Sequence, residues 1–296
     1  MPNDGSGLSL EALHAIIEGR LNALCPGDGP SMLQAAVRYA LLAPAKRLRP
    51  TLTLLAAAHF GGESAQGAAL DPACAVELVH TASLILDDLP SMDDAALRRG
   101  RPASHRRFGE DVAILSAVGL LNQAFGVIAR AHAVDPLVRL QLIERLSGAI
   151  GFDGLVAGQV RDLRERAEVG DAAGLHQLNH QKTGVLFVAA VEAGALVAGA
   201  QGARLAAASG FAVNLGSAFQ ILDDLIDLTG TPETAGKDVG QDADKPTLVS
   251  LVGAEEARRE MRRRLDQALG CLEAAERTGP LSRFAERLFE PFRLAA

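Results

Sequence analysis

Apolar positions along this chain recur at helical spacing almost throughout. From Leu8 to about Leu24 they fall three and four residues apart, as one face of a helix requires. Pro26 to Pro30, with two glycines and an aspartate, breaks the pattern. Ser31 then stands as the N-cap of a helix running toward Leu42. Pro50 occupies the first turn of the next helix, where its missing N–H has no partner to lose, and Thr51–Phe60 is apolar. Gly61–Gln66 reads as a loop. A long apolar helix begins near Ala68, and Pro90 should kink or end it near Leu89. Further helices are expected over Asp111–Ala131, Pro136–Ile150, Gly154–Glu168, Asp171 to Gln181, Leu186–Gly199, Arg204–Leu228 and Ala254–Ala275, with a last short one ending near Phe292. Thr229–Asp244 is polar, Gly-rich and without periodicity, as lids and binding loops are. Strand alternation and fixed-period repeats are absent. The expectation is an all-α fold: a single domain over residues 1–296, loose at 1–7, with roughly a dozen helices around a deep apolar cavity.

Composition narrows the class. Ala and Leu, the strongest helix formers, dominate the 296 residues, and Trp is absent. Cys25, Cys74 and Cys271 show no paired spacing, which argues against a disulfide framework or zinc site and for a reducing, cytoplasmic setting. No basic start with an apolar core marks a signal peptide, and no uninterrupted apolar run is expected to span a membrane. A net charge of −7 argues against a general nucleic-acid binder. A polyanion would have to be held by local cations and metal.

Two stretches carry the chemistry. In the first, Asp87, Asp88, Asp93 and Asp94 close an apolar run, and Arg98, Arg99 and Arg101 follow. Carboxylates at that density repel one another and become tolerable around a hard cation. Oxygen-only ligands favour Mg²⁺, which is usually shared with substrate phosphates that guanidinium forks also match. Pro90 should let Asp93 fold back toward Asp87. In the second stretch, Phe219-Gln220-Ile221-Leu222 leads to Asp223, Asp224 and Asp227, with Asp223 and Asp227 on one helix face. Two helices facing each other across a cavity, acids at each rim, would meet through metal and a diphosphate.

Smaller signals accompany them. Lys46, Arg47 and Arg49 form a basic cluster ahead of Pro50. His80 lies two turns before Asp87, ~10 Å along the helix and on nearly the same face. Lys182-Thr183 before Gly184 suggests an interrupted helix exposing a cation and a carbonyl, although a C-terminal Lys with a Gly cap is the better reading of those residues alone. Gly158-Gln159-Val160-Arg161-Asp162 places polar groups on its helix, and His105, Arg106 and Arg107 read as solvated. Charged rims over apolar helices suit a substrate with a diphosphate head and a hydrocarbon tail.

In this order the motifs resemble those of the trans-isoprenyl diphosphate synthases, the polyprenyl synthetases, from Lys46 to about Gly253. Asp87-Asp88-Leu89-Pro90-Ser91-Met92-Asp93 is similar to the first aspartate-rich motif in its bacterial form, and Asp223-Asp224-Leu225-Ile226-Asp227 to the second. Val79 to Leu86 is similar to geranylgeranyl diphosphate synthases of bacterial carotenoid pathways. Pro44-Ala45 stands where the family has Gly-Gly, and Asp244-Lys245-Pro246 where Gly-Lys-Ser or Gly-Lys-Ala is commoner.

The resemblance implies the following roles. Asp87, Asp88, Asp93, Asp223 and Asp227 would hold Mg²⁺, three ions with bound diphosphate, Asp224 belonging to the same catalytic motif. Arg98, Lys182, Thr183, Gln220, Lys237 and Lys245 would receive the allylic diphosphate. Lys46, Arg49, His80 and Arg99 would bind isopentenyl diphosphate. Ala82 and Ser83, both small, would form the floor that sets chain length, favouring a C20 product from dimethylallyl, geranyl or farnesyl starters over C15. The family also implies a homodimer. A terpene cyclase and a non-catalytic subunit are the competing readings; the first would leave Lys46, Arg49 and His80 idle, and the second would be expected to lose carboxylates from one cluster.

Overall fold

The computed structural model describes residues 9–25, 27, 29, 31–229, 246–272 and 278–293. Helices make up nearly all of them: α1 (Leu10–Leu24), α2 (Met32–Leu41), α3 (Leu48–Ala68), α4 (Leu70–Asp87), α5 (Ser104–Phe108), α6 (Glu110–Ala129), α7 (Pro136–Ile150), α8 (Leu155–Arg164), α9 (Ala172–Asn179), α10 (Val185–Val197), α11 (Gly202–Thr229), α12 (Leu248–Val252), α13 (Ala254–Cys271) and α14 (Pro280–Arg293). The all-α expectation holds. A π-helical turn, His180–Gly184, joins α9 directly to α10.

α10 is the axis of the bundle because its sequence is apolar on every side. It packs against α3, α4, α7 and α11, with Leu186, Phe187, Val191 and Leu196 buried. Burying a side chain of this size contributes roughly 1.5–3 kcal/mol each. Gly194 permits the α3–α10 crossing, since a Cβ there would collide with the Thr53 carbonyl and the Ala57 amide. Its one buried carboxylate, Glu192, accepts hydrogen bonds from Arg145 at 3.1 Å and from the Ser209 hydroxyl. α4 lies between α3 and α6, and α13 covers the outer side of α11.

Four local expectations change. Gly61–Gln66 is not a loop: α3 continues through it to Ala68 with one non-helical residue, Gly62 at φ 72°. Two glycines interrupt the helix, and Glu63–Gln66 then re-enter it, so α3 meets α4 at 88°. A small hairpin, β1 (Leu97–Arg98) paired with β2 (Arg101–Pro102), turns through Arg99 and Gly100, both at positive φ as a two-residue hairpin demands. Its strands are too short to show alternation in sequence. α8 stops at Arg164 and is followed by a 3₁₀ turn over Arg166–Glu168. His105 is buried rather than solvated, while Arg106 and Arg107 are exposed.

Two helices among the described residues, Glu110–Ala129 and Gly202–Asp227, are long and apolar enough to cross a membrane by length and composition. The expectation that no stretch reaches that length is thereby revised. Their sparse charges lie near the ends, and each helix buries part of its surface in the bundle.

Candidate active site

The first acidic cluster is built by a helix end and a tight return. α4 ends at Asp87, and Pro90 cannot continue it. The chain folds back: the Asp93 N–H donates to the Asp87 carbonyl at 3.0 Å, and the Ala95 N–H to the Asp88 carbonyl at 3.2 Å. Asp93 is thus held beside Asp87, as Pro90 led one to expect. The hairpin after it brings Arg98 back onto Asp88, whose buried carboxylate accepts from Arg98 Nε at 2.8 Å and from Nη2. Asp94 instead pairs outward with Arg106 at 2.8 Å. Burial pushes the Asp87 carboxyl up to about 6; Lys182 and Arg98 draw it down, and Asp93 and Asp88 push it further up. Those five groups therefore share one electrostatic environment.

Lys182 arrives from the π turn. That turn is the interrupted helix of the sequence reading, and π turns commonly mark functional sites. Asp162 on α8 holds the Lys182 ammonium and also accepts from Arg166 Nη1 at 2.6 Å. Burial works against the charge on Asp162, yet Lys182 and Arg166 outweigh it and its pKa falls below the usual carboxylate range. Gly158, one turn earlier on α8, lets the π turn come this close; a Cβ there would sit on the Lys182 amide nitrogen. Thr183 follows, half-buried.

The second cluster lies near the end of α11, and its three acids are treated differently. Asp224 is buried and accepts from Gln220 Nε2 at 3.1 Å and from the Leu248 N–H at 3.4 Å. Burial raises its pKa, against these hydrogen bonds. Asp223 is half-buried and Asp227 exposed. Gln220, so tied to Asp224, also lines a pocket with His176, His180, Gly184 and Ser217 behind the π turn.

The basic cluster links the two acidic ends. Burial lowers Arg49 to about 10, while the negative charges of Glu77 and Asp223 support its protonation. Its Nη1 lies 3.2 Å from His80 Nε2. An arginine can only donate, so Nε2 is the unprotonated ring nitrogen. Burial, with Arg49, Arg99, Arg98 and Arg47 around it, keeps His80 neutral. The charge of Asp223 acts on Arg49, Arg49 contacts His80 on α4, and α4 ends at Asp87, on which Lys182 acts in turn. Arg99 is half-buried and Lys46 exposed at the rim. Ala82 is fully buried, and the half-buried Ser83 donates its hydroxyl to the His80 carbonyl at 2.9 Å. Lys237 and Lys245 lie outside the described residues.

The donor set suits a hard divalent ion. All candidate ligands are carboxylates, and Asp87, a half-buried acid beside two others, keeps a raised pKa despite Lys182 and Arg98. Among the described residues no three acids, histidines or cysteines converge tightly enough to hold a metal by themselves. An ion here would need further oxygens, which a diphosphate provides. Sequence reasoning did not assign roles to Asp162, Arg166 or Glu77. The run Gly158 to Asp162 carried a hint, but its pairing with Lys182 spans twenty residues and depends on how α8 packs.

Acidic helix ends, arginines and a lysine around them, and apolar helices beneath describe a helical enzyme acting on a diphosphate with a hydrocarbon tail. Comparison with known proteins agrees. The polyprenyl synthetase model matches residues 30–283. A geranylgeranyl diphosphate synthase of Pantoea ananas is 47% identical over 266 residues, covering 90% of this chain and 87% of that one. A farnesyl diphosphate synthase of Geobacillus stearothermophilus is 44% identical, covering 77% and 79%. The crystal structure of a Helicobacter pylori geranyltransferase, complexed with magnesium and isoprenyl diphosphate, superposes with a TM-score of 0.85 at 27% identity over 100% of this chain and 99% of that one. The chain belongs to the polyprenyl synthetase family and is a prenyltransferase.

Proposed function

We propose that this chain condenses isopentenyl diphosphate with an allylic diphosphate in a Mg²⁺-dependent reaction, elongating to geranylgeranyl diphosphate (C20). The observation that carries the reading is the continuity of the site: Arg49 answers to Asp223 on α11 while contacting His80 on the helix that ends in Asp87. Asp87, Asp88, Asp93, Asp223 and Asp227 would hold the metal, three ions together with the diphosphate. Held by these carboxylates, magnesium would supply positive charge to offset that developing on the leaving diphosphate. Arg98 and Lys182 add donors to that group, which requires them to share themselves between it and their present partners Asp88 and Asp162. Thr183 and the Gln220 carbonyl supply dipoles toward the allylic cation. Apolar side chains exclude water that would quench it. Arg49, neutral His80, Arg99 and Lys46 orient isopentenyl diphosphate so that its double bond attacks the cation. The proton then lost passes to the released diphosphate.

Chain length rests on α4. Ala82 and Ser83 are small side chains that would leave room for a longer hydrocarbon, which supports C20, as does the similarity to the Pantoea ananas enzyme. The similarity to a farnesyl diphosphate synthase keeps C15 as the second reading. Incubation with isopentenyl diphosphate, each allylic starter and Mg²⁺, followed by chromatography, decides. A C20 diphosphate is expected; a C15 diphosphate selects the second reading, a hydrocarbon indicates a cyclase, and no product indicates a non-catalytic subunit.

A homodimer is also proposed. On α6, Ile114, Leu115 and Val118 are 41%, 58% and 56% exposed, side by side on one face of the helix. A second copy would cover that stripe.

A further inference from the structure

Three non-glycine residues among those described take the left-handed backbone conformation: Arg47 at φ 47°, Asp94 at φ 44° and Arg99 at φ 54°. Left-handed backbone is unfavourable for an L-residue with a side chain and persists where surrounding contacts hold it. Two of the three reach the same carboxylate. Arg47 Nη1 donates to Glu77 Oε1 at 2.7 Å, and Arg99 Nη2 lies 3.9 Å from that oxygen. Glu77 is 1% exposed on α4, one turn before His80.

The three arms converging on Glu77 are those that present the isopentenyl diphosphate ligands. Arg47 sits between Lys46 and Arg49 in sequence. Its side chain is fully buried: Nε meets Glu18 at 2.6 Å, and Nη2 meets the carbonyls of Leu41 and Ala43 at 2.6 and 3.1 Å. It anchors the loop from α2 to α3, which carries Lys46 and leads into Arg49. Arg99 arrives on the hairpin, and His80 stands on Glu77's own helix. Arg49 also feels the Glu77 charge directly. Without a central anion, Arg47, Arg49 and Arg99 would repel one another across a partly dry space.

We infer that Glu77 is a positioning residue for isopentenyl diphosphate: its buried carboxylate holds the Arg47 loop, the Arg99 hairpin and the His80 helix in one geometry without touching substrate. This rests on the proposed role of Lys46, Arg49, His80 and Arg99.

The test is steady-state kinetics of Glu77→Gln, which keeps the shape and removes the charge. KM for isopentenyl diphosphate should rise on the order of ten-fold, the cost of weakening hydrogen bonds to charged groups. KM for the allylic diphosphate should stay within about two-fold of wild type, because Lys182 and Arg98 rest on Asp162 and Asp88. Asp71→Asn is the control: Asp71, also on α4, holds Arg20 of α1 at 2.6 Å, away from these arms, and should leave both constants unchanged. Equal rises in both KM values, or none, overturn the inference. If Glu77→Gln fails to fold, Glu18→Gln, on the half-exposed partner of Arg47, should show a smaller rise of the same selectivity, and an unselective change there counts against it. Arg49→Ala separates the underlying reading. Should it leave KM for isopentenyl diphosphate unaltered, the cradle itself is misassigned. If it raises that constant while Glu77→Gln does not, only the positioning role falls.

Discussion

Asp87 is placed where a charge is costly until a cation arrives, and replacing it by Asn should show both sides of that bargain. Its carboxyl is shifted from 3.8 to about 6, first by burial and then by Asp93 and Asp88, against Lys182 and Arg98. A raised acid pKa means that the folded state holds the proton more tightly than the unfolded chain between those two values. Stability therefore falls as pH rises from about 3.8 to about 6, and above that window the full penalty applies. At 1.36 kcal/mol per unit the penalty is roughly 3 kcal/mol as an upper figure, since the group keeps some contact with water. Asp87→Asn removes the charge with little change of shape. In EDTA at pH 8 the variant should be more stable than wild type in urea denaturation, by up to about 3 kcal/mol, and the gap should shrink to roughly half at pH 5. Adding Mg²⁺ and pyrophosphate should reverse the ranking, because ligand that binds only the folded wild type stabilises it by mass action. Turnover should fall by orders of magnitude. A variant less stable than wild type in EDTA at pH 8, or one stabilised by Mg²⁺ and pyrophosphate as fully as wild type, would refute the reasoning.

Gly158→Ala should push the π turn off α8, costing about 1–3 kcal/mol by overpacking and raising KM for the allylic diphosphate through displaced Lys182; denaturation and kinetics together check it. Ala82→Phe should shorten the product, read by chromatography, and an unchanged distribution would remove Ala82 from the floor. Replacing Leu115 and Val118 together by Glu should convert a dimer to a monomer in sedimentation, with helical content unchanged by circular dichroism.

Much of the active site was legible from local pattern. Asp93 returns to Asp87 because Pro90 forbids a straight helix, and that is visible in seven residues. The interrupted helix at Lys182-Thr183-Gly184 was one of two readings, and tertiary packing chose it: a π turn forms where α8, through Gly158, presses on the Lys182 amide. The hairpin that aims Arg98 was too short to leave an alternating signature. Gly61–Gln66 looked like a loop because two adjacent glycines outweighed the helical residues after them. His105 looked solvated because it sits in a basic run, but the fold turns its ring inward.

The sequence by itself determined that this chain is helical, that two carboxylate clusters end apolar helices, and that cations stand ready for a polyanion. Periodicity and side-chain chemistry are local properties, carried by residues a few positions apart. Which cation meets which acid was decided only in three dimensions. Arg98 is bound to Asp88, Lys182 to Asp162 and Arg47 to Glu77. Most of these pairings depend on how helices rotate and approach one another, and that is set by the summed burial of many apolar side chains rather than by any motif.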